Sequence, residues 1–401
     1  MSEWKKVKLG EICGRVTSGG TPKANVSSYY NPPTIPWLKT KEVNYCRITE
    51  TENYISEEGL KNSSAKIISP NSVIIAMYGQ GDTAGRVAIN KIPLATNQAC
   101  CNLTIDKSKA DYEFIYYQLC TLYDKLVSLK AGAAQPNLNA RIIKNLEIIM
   151  PSLPIQHRIA NILSRYDSLI ENYQKQIKLL DEAAQRLYKE WFVDLHFPGH
   201  ENTKIVDGVP EGWEKKPVKT IIELQSGYAF KSSAFMEDGT YKIVTIKNVK
   251  DGAFDGDNVS KIASIPEKMP KHCILEDGDI LLSLTGNVGR VCIVNGKNYL
   301  LNQRVAKLKS AYKAYTYCLF RSRDMFIEVN NLANGAAQQN VSPIRIGEMK
   351  ILIPEKKWLD DFERTVSNYI LGIITLQSQI RFLTEARDRL LPKLMSGEIA
   401  V

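Results

Sequence analysis

The chain has 401 residues, 44% of them hydrophobic and 24% charged, with a formal net charge of +9. This is globular composition, neither disordered nor fibrous, and the length suits two or three domains. No apolar run reaches the ~18 residues of a membrane-spanning helix, the opening around Trp4-Lys5-Lys6 is too polar for a secretory signal, and the eight cysteines lack C-x-x-C spacing, so a cytoplasmic protein with free thiols and no zinc site is expected.

From the start to residue 150, short apolar runs alternate with turn residues. Val73-Ile74-Ile75-Ala76-Met77-Tyr78 is followed by Gly79-Gln80-Gly81-Asp82, a strand and its turn, and Asp111 to Leu129 reads as a helix among strands. After Pro151 and Pro154 the pattern changes. Apolar residues recur at 159, 162, 166, 169, 173, 177, 180, 184, 187 and 191, in steps of 3 and 4 that mark a heptad seam. This predicts a long helix over 151–196. A stretch rich in Pro, Gly and charge, 197–211, reads as a linker.

The same order then returns. Trp4-Lys5-Lys6-Val7 is echoed by Trp213-Glu214-Lys215-Lys216, Gly85-Arg86-Val87 by Gly289-Arg290-Val291, and Asn97-Gln98 by Asn302-Gln303. Gly132-Ala133-Ala134-Gln135-Pro136-Asn137 is echoed by Gly335-Ala336-Ala337-Gln338-Gln339-Asn340. Four pairs in order identify an internal duplication: a second β-rich domain over 212–354 and a second helix with its tail over 355–401, with no proline before Pro392. A long helix with one apolar stripe must bury it. An antiparallel pair, with a domain at each end, satisfies both helices.

The charge follows the repeat. Residues 1–150 carry 18 basic and 13 acidic side chains and residues 212–354 carry 20 and 14, whereas 151–211 carry 7 and 9 and 355–401 carry 7 of each. Two basic blocks suit a polyanion such as nucleic acid.

Catalytic signatures are missing. The four histidines, 157, 196, 200 and 272, form no metal spacing. Gly79 to Gly85 departs from a dinucleotide loop by one residue, and no phosphate-binding P-loop is present. Asn31-Pro32-Pro33-Thr34 approaches an amino-methyltransferase loop but carries Thr34 where an aromatic would stack on a flipped base, so it reads as a proline turn. Glu348-Met349-Lys350 approaches a nuclease motif but reads as a strand with outward charges.

Three segments carry a family resemblance. They are Val7-x-Leu9-Gly10-Glu11-Ile12 with Ser18-Gly19-Gly20-Thr21-Pro22; Leu187-Tyr188-Lys189-Glu190-Trp191-Phe192-Val193-Asp194 leading to Pro210-Glu211-Gly212-Trp213; and Arg389-Leu390-Leu391-Pro392-Lys393-Leu394-Met395-Ser396-Gly397-Glu398-Ile399. Over essentially its whole length the chain resembles the specificity subunit of type I restriction–modification systems. The resemblance implies an α+β protein with two β-rich target recognition domains joined by a pair of long antiparallel helices. It implies a non-catalytic, prokaryotic and cytoplasmic subunit. This subunit reads a bipartite asymmetric target on double-stranded DNA, one domain per half-site, together with two modification subunits and restriction subunits. The chain itself would need no cofactor or metal; S-adenosylmethionine, ATP and Mg would belong to the partners.

Physical chemistry then nominates residues. Lys and Arg neutralise phosphates, while Asn and Gln pair with adenine and Arg with guanine. Candidates beside turns are Arg86, Gln98, Gln135 and Asn137 in the first domain and Arg290, Gln303, Gln338 and Asn340 in the second. Because both domains share the Gln/Asn pairs, a structural or partner-binding role competes with base reading there. Lys23, Lys39, Lys231 and Lys247 are further DNA candidates, and Tyr188, Trp191 and Phe192 are candidate apolar contacts for the modification subunits. The seam from Ile155 to Trp191 would span about 55 Å at ~1.5 Å per residue. A four-residue insertion between Glu190 and Pro198 would then lengthen the gap in the target. The competing reading is a two-domain scaffold or adhesin whose helices bridge protein partners.

Overall fold

The computed structural model describes residues 4–130, 137–257, 259–333 and 340–401. These divide into two compact units, Met1–Ser168 together with Leu383–Val401, and Leu169–Phe382.

In the first unit the strand Val73–Ala76 is buried at all four positions. Alternate side chains of a strand face opposite ways. Val73 and Ile75 join a core with Phe114, Ile115 and Leu119 of the helix Tyr112–Cys120. Ile74 and Ala76 join a second core with Leu38, Ala88 and Leu94. Cover on both faces explains why this sequence is a continuous apolar run and not an alternation. The strand lies within a sheet of order Cys13–Ser18, Cys100–Ile105, Val73–Ala76, Val87–Asn90, Cys46–Ile48. A smaller sheet has the order Tyr54–Ile55, Ile35–Leu38, Leu94–Thr96, Ile67–Ile68, with its central pair parallel. Lys5–Lys8 pairs with Glu147–Met150 in a separate ribbon.

The second unit repeats this topology without, among the described residues, a strand matching Cys46–Ile48. Its larger sheet has the order Glu223–Ser226, Val305–Lys309, Ile280–Ser283, Val291–Ile293. Its smaller sheet runs Ser260–Ile262, Tyr241–Val244, Tyr299–Leu301, Ile274–Leu275, and again only the central pair is parallel. Glu214–Pro217 pairs with Lys350–Ile353. Ile280 and Leu282 face one core and Leu281 the other, as in the first unit.

The first long helix runs Leu153–Tyr188 and continues into a π-helical turn, Lys189–Val193. The second runs Lys356–Ser396. It passes through Pro392, which forfeits one main-chain hydrogen bond, and buries Leu394 and Met395 beyond it. In the first unit Ile159, Ala160 and Leu163 from the start of the first helix share a core with Leu390, Leu391 and Leu394 from the end of the second. In the second unit Leu180, Ala184 and Tyr188 share a core with Phe362, Val366 and Ile370. The paired segments therefore run antiparallel within each unit. Both also pack on the β-rich part beside them, so helix pairing and domain packing coexist.

Several local expectations change. The helix expected over 111–129 is two, Tyr112–Cys120 and Tyr123–Ser128; Asp111 caps the first by accepting from the Phe114 amide at 2.9 Å. The linker is bracketed by buried aromatics, with the Phe197 and Trp213 rings 5.0 Å apart. Glu348 follows the short helix Pro343–Gly347 and is not in the strand; it pairs with Lys219, while Lys350 opens the strand.

Tyr188 and Phe192, expected as exposed partner contacts, are buried. The Phe192 ring lies 5.1 Å from Tyr315 and 5.0 Å from Phe362, and Tyr188 lies 5.7 Å from Tyr315. The helix buries these rings against its own unit, because burying an aromatic ring there stabilises the unit more than exposing it for a partner. Trp191 is half-buried beside Phe362, 5.8 Å away, and is the member of the trio with substantial exposure.

Candidate nucleic-acid interface

The repeated Asn-Gln pair occupies the same turn in both units, just past the central strand of each small sheet. The Asn97 amide donates to the Leu38 carbonyl at 2.9 Å, and the Asn302 amide to the Val244 carbonyl at 3.1 Å. Each turn closes three residues on, with Cys100 N–H donating to Asn97 O (3.2 Å) and Val305 N–H to Asn302 O (2.9 Å). A glycine must sit beside each turn: a Cβ on Gly19 would lie 2.1 Å from Thr96 O, and one on Gly227 would lie 2.2 Å from Asn302 O. This close approach explains the repeated Ser-Gly at Ser18-Gly19 and Ser226-Gly227.

The turn separates its two polar residues. Asn97 Oδ1 accepts from the Cys100 thiol and Asn302 Oδ1 from the Arg304 amide, both at 3.3 Å, so the asparagines hold the turn. Gln98 and Gln303 are exposed at its tip. The Thr21 hydroxyl donates to Gln98 Oε1. Thr21 is a residue the sequence did not single out, although its place in the Ser-Gly-Gly-Thr-Pro segment was visible.

A three-segment ladder extends from each turn. Met77 N–H donates to Ala99 O (2.7 Å) and Leu138 N–H to Met77 O (3.0 Å); Leu284 N–H donates to Arg304 O (3.0 Å) and Val341 N–H to Leu284 O (2.9 Å). Gln98 and Asn137 thus lie along one edge of the first unit, and Gln303 and Asn340 along the matching edge of the second. Asn340 accepts from the Thr285 hydroxyl at 2.9 Å. Gln135 and Gln338 lie outside the described residues.

The lysine candidates lie a few residues along the chain from segments bonded to these turns. Lys39 follows the strand whose end receives the Asn97 amide; its Nζ donates to Asn53 Oδ1 at 2.9 Å and sits 5.0 Å from the Trp37 ring centre. Lys23 is exposed two residues beyond Thr21. In the second unit Lys231 and Lys247 are exposed, and so is Arg304, beside Gln303, which sequence reasoning passed over. Tyr228 anchors this edge by accepting the Gln303 amide at its carbonyl, 3.0 Å away.

The two arginines are engaged inside their units. Arg86 donates to Asn44 Oδ1 at 3.1 Å. Arg290 stacks 5.2 Å from the Phe326 ring centre and lies 3.8 Å from Asp251. Both brace the turn after the strand Val73–Ala76 or its counterpart.

No group of three His, Cys, Asp or Glu side chains able to hold a metal occurs among the described residues. His157 hydrogen-bonds Asp111 at 3.0 Å and His272 the Ser226 carbonyl at 2.8 Å. Burial pushes the Cys13 thiol up to about 11 and the Cys100 and Cys292 thiols higher still, so these sulfurs are poor nucleophiles. No helix among the described residues is long and apolar enough to cross a membrane.

The model of the type I restriction modification DNA specificity domain matches residues 1–181 and again 210–366, one copy per repeat. The chain is 30% identical over 417 aligned positions to the type I restriction enzyme MjaIX specificity subunit of Methanocaldococcus jannaschii, covering 100% of this chain and 94% of that protein. It is 28% identical to the EcoR124I/EcoR124II specificity subunit of Escherichia coli over 49% of this chain and 48% of that protein. The crystal structure of the S subunit of a type I restriction–modification system from M. genitalium has the same fold, with a TM-score of 0.62 at 17% identity over 98% of this chain and 96% of that one. Duplicated domain, duplicated turn and full-length likeness agree: the chain belongs to the type I restriction–modification DNA specificity family.

Proposed function

We propose that the chain is the DNA-reading subunit of a type I restriction–modification complex and that each unit reads one half of a bipartite, asymmetric target. The observation that carries this reading is the repeated edge. In both units a closed turn and a two-step ladder of main-chain hydrogen bonds present an exposed glutamine, with candidate lysines a few residues along the bonded segments. Lysines on such an edge neutralise phosphates without reading sequence, and amide side chains discriminate base edges. In this reading the chain recruits two modification subunits, which hold S-adenosylmethionine and methylate adenine, and restriction subunits, which hold ATP and Mg and cut DNA.

The test is exchange of residues 1–150 for the corresponding domain of a relative with another target. After co-expression with the modification subunit, methylated positions are mapped across the genome. One half of the recognised sequence is expected to change while the other stays. Simultaneous change of both halves, or methylation by the isolated chain, would overturn the reading.

A further inference from the structure

The glycine-rich turn from Gly79 to Gly85 has a shorter counterpart in the second unit. Both turns close on the same bond: Gly85 N–H donates to Ala76 O at 2.8 Å, and Gly289 N–H to Ser283 O at 3.0 Å. These two glycines are left-handed, with φ of 94° and 84°, and each opens the repeated Gly-Arg-Val. Eight residues, 77–84, stand between the bonded positions in the first unit and five, 284–288, in the second, so the first turn is longer by three.

The longer turn springs from the edge that carries Gln98. Met77 N–H donates to Ala99 O, beside Gln98, and Met77 O accepts from Leu138 N–H, beside Asn137. The base of the turn is pinned. The Thr83 hydroxyl donates to Gln80 O at 2.6 Å, the Tyr123 hydroxyl to Asp82 O at 3.0 Å, and Arg86 N–H to Thr83 O at 3.1 Å. Thr83 and Ala84 are buried. Gly79 permits this packing, because a Cβ on it would lie 2.9 Å from the Thr83 Cβ.

The tip stands clear of this base. Gly79, Gln80, Gly81 and Asp82 are exposed. Gly81 is left-handed, with φ of 60°, and a Cβ on it would meet no atom within 4 Å. Among the described residues the Gln80 side-chain amide has no hydrogen-bond partner. No lysine or arginine stands in 77–85, and Asp82 puts a carboxylate at the tip. Phosphates repel such a tip, whereas a glutamine amide offers the donor and acceptor that match the major-groove edge of adenine. The shorter turn of the second unit is tied down instead: the Thr285 hydroxyl donates to Asn340 Oδ1 at 2.9 Å and the Ser283 hydroxyl to Asn287 O.

We propose that Gln80 is a second base-reading residue of the first unit, carried into the major groove by the longer turn and pairing with an adenine that Gln98 does not contact. The inference rests on the DNA-reading function proposed above. Three added residues, shared between the outgoing and returning chain, extend the tip by up to about 5 Å at ~3.4 Å per residue. That exceeds the ~3.4 Å rise of one base pair, so the tip can address a base pair that Gln98 does not. Glycines on both sides let the backbone come close to the base edges.

The test co-expresses the full chain with the modification subunit and maps methylated positions for the parent, Gln80→Ala, Gln80→Glu and Gln98→Ala. Fluorescence anisotropy of each purified complex then compares the cognate duplex, its single-base-pair variants and a random duplex. Gln80→Ala is expected to relax one A·T position in the first half of the target, other than the one Gln98→Ala relaxes, and to leave the second half unchanged. It should weaken the cognate duplex about tenfold. Affinity for the random duplex and its salt dependence should stay as in the parent, because a glutamine releases no counterions. Gln80→Glu should shift the preference at that position to cytosine, whose N4 amino group donates to a carboxylate. A parent complex without a bipartite motif overturns both the inference and the function beneath it. A bipartite parent motif that Gln80→Ala and Gln80→Glu leave unaltered overturns the inference alone. So does relaxation of the same position by Gln80→Ala and Gln98→Ala, or equal weakening of cognate and random duplexes.

Discussion

Replacing Asp181 by alanine tests the ion pair that ties the first long helix to the second unit. Arg321 retains only 13% of its side-chain exposure and Asp181 only 20%. Without Asp181 the guanidinium keeps the Tyr317 hydroxyl at 2.9 Å and Asp251 at 3.4 Å, but Asp251 is 53% exposed and well solvated. Removing one partner of a buried pair costs about 3–5 kcal/mol. The remaining contact to Asp251 places Asp181→Ala near the lower end, at about 3 kcal/mol. For a unit of this size each kcal/mol is worth ~2–4 °C, so its melting temperature should fall by about 6–12 °C. Trp191, Trp213 and Trp358 all belong to this unit and report its unfolding by fluorescence. The double variant Asp181→Leu/Arg321→Met removes both charges and keeps the volume. It should recover most of the loss, because an apolar pair avoids the desolvation cost. A single variant losing less than about 1 kcal/mol, or a double variant losing the full sum, would refute a buried, mutually dependent pair.

Gln98→Ala and Gln303→Ala should each weaken binding of the cognate duplex by about 1–3 kcal/mol and relax one position in one half of the target; degenerate-site binding selection checks this. Lys23→Gln and Lys231→Gln should weaken cognate and random duplexes alike and each reduce the slope of log affinity against log salt by about 1, measured by fluorescence anisotropy at several salt concentrations. A four-residue insertion between Glu190 and Pro198 falls among Trp191, Phe192 and Phe197. It should therefore destabilise the second unit by about 3–5 kcal/mol, as loss of a core aromatic does, and not lengthen a spacer; thermal unfolding distinguishes the two outcomes.

The duplication was readable because its signs are local. Gly-Arg-Val and Asn-Gln each recur as one short motif at one turn, and the Ser-Gly that packs beside Asn-Gln in both units emerges only in the structure. The long helices were readable because steps of 3 and 4 follow directly from helix geometry. What escaped depends on distant chain segments. Nothing near Tyr188 or Phe192 announces that Tyr315 and Phe362 will cover them, so a helix-face aromatic reads equally as core or as docking surface. Arg86 and Arg290 look alike in sequence, but Asn44 and Asp251, which engage them, carry no motif. Of the repeated Asn-Gln pair the sequence nominated the glutamines, Gln98 and Gln303; only the turn geometry shows that their neighbours Asn97 and Asn302 hold the turn.

The two units fix the first long helix by the same chemistry with the cation drawn from different places. In each, a buried tyrosine hydroxyl, Tyr117 or Tyr317, donates to an aspartate of that helix, Asp167 or Asp181. The arginine completing the second site, Arg321, belongs to the β-rich domain; the one completing the first, Arg387, belongs to the second long helix. This difference decides what a domain exchange leaves behind. Replacing residues 1–150 keeps Asp167 and Arg387 paired, and the incoming domain needs only a hydroxyl where Tyr117 stands. Replacing residues 212–354 removes Arg321 and leaves Asp181 facing whatever the new domain brings. First-domain chimeras should therefore fold with most donors, whereas second-domain chimeras should lose about 3 kcal/mol unless the donor carries a cation at the position of Arg321. Installing arginine there should restore the melting temperature of a failing second-domain chimera. If that substitution restores nothing, the aspartate is not what makes the second unit selective for its domain.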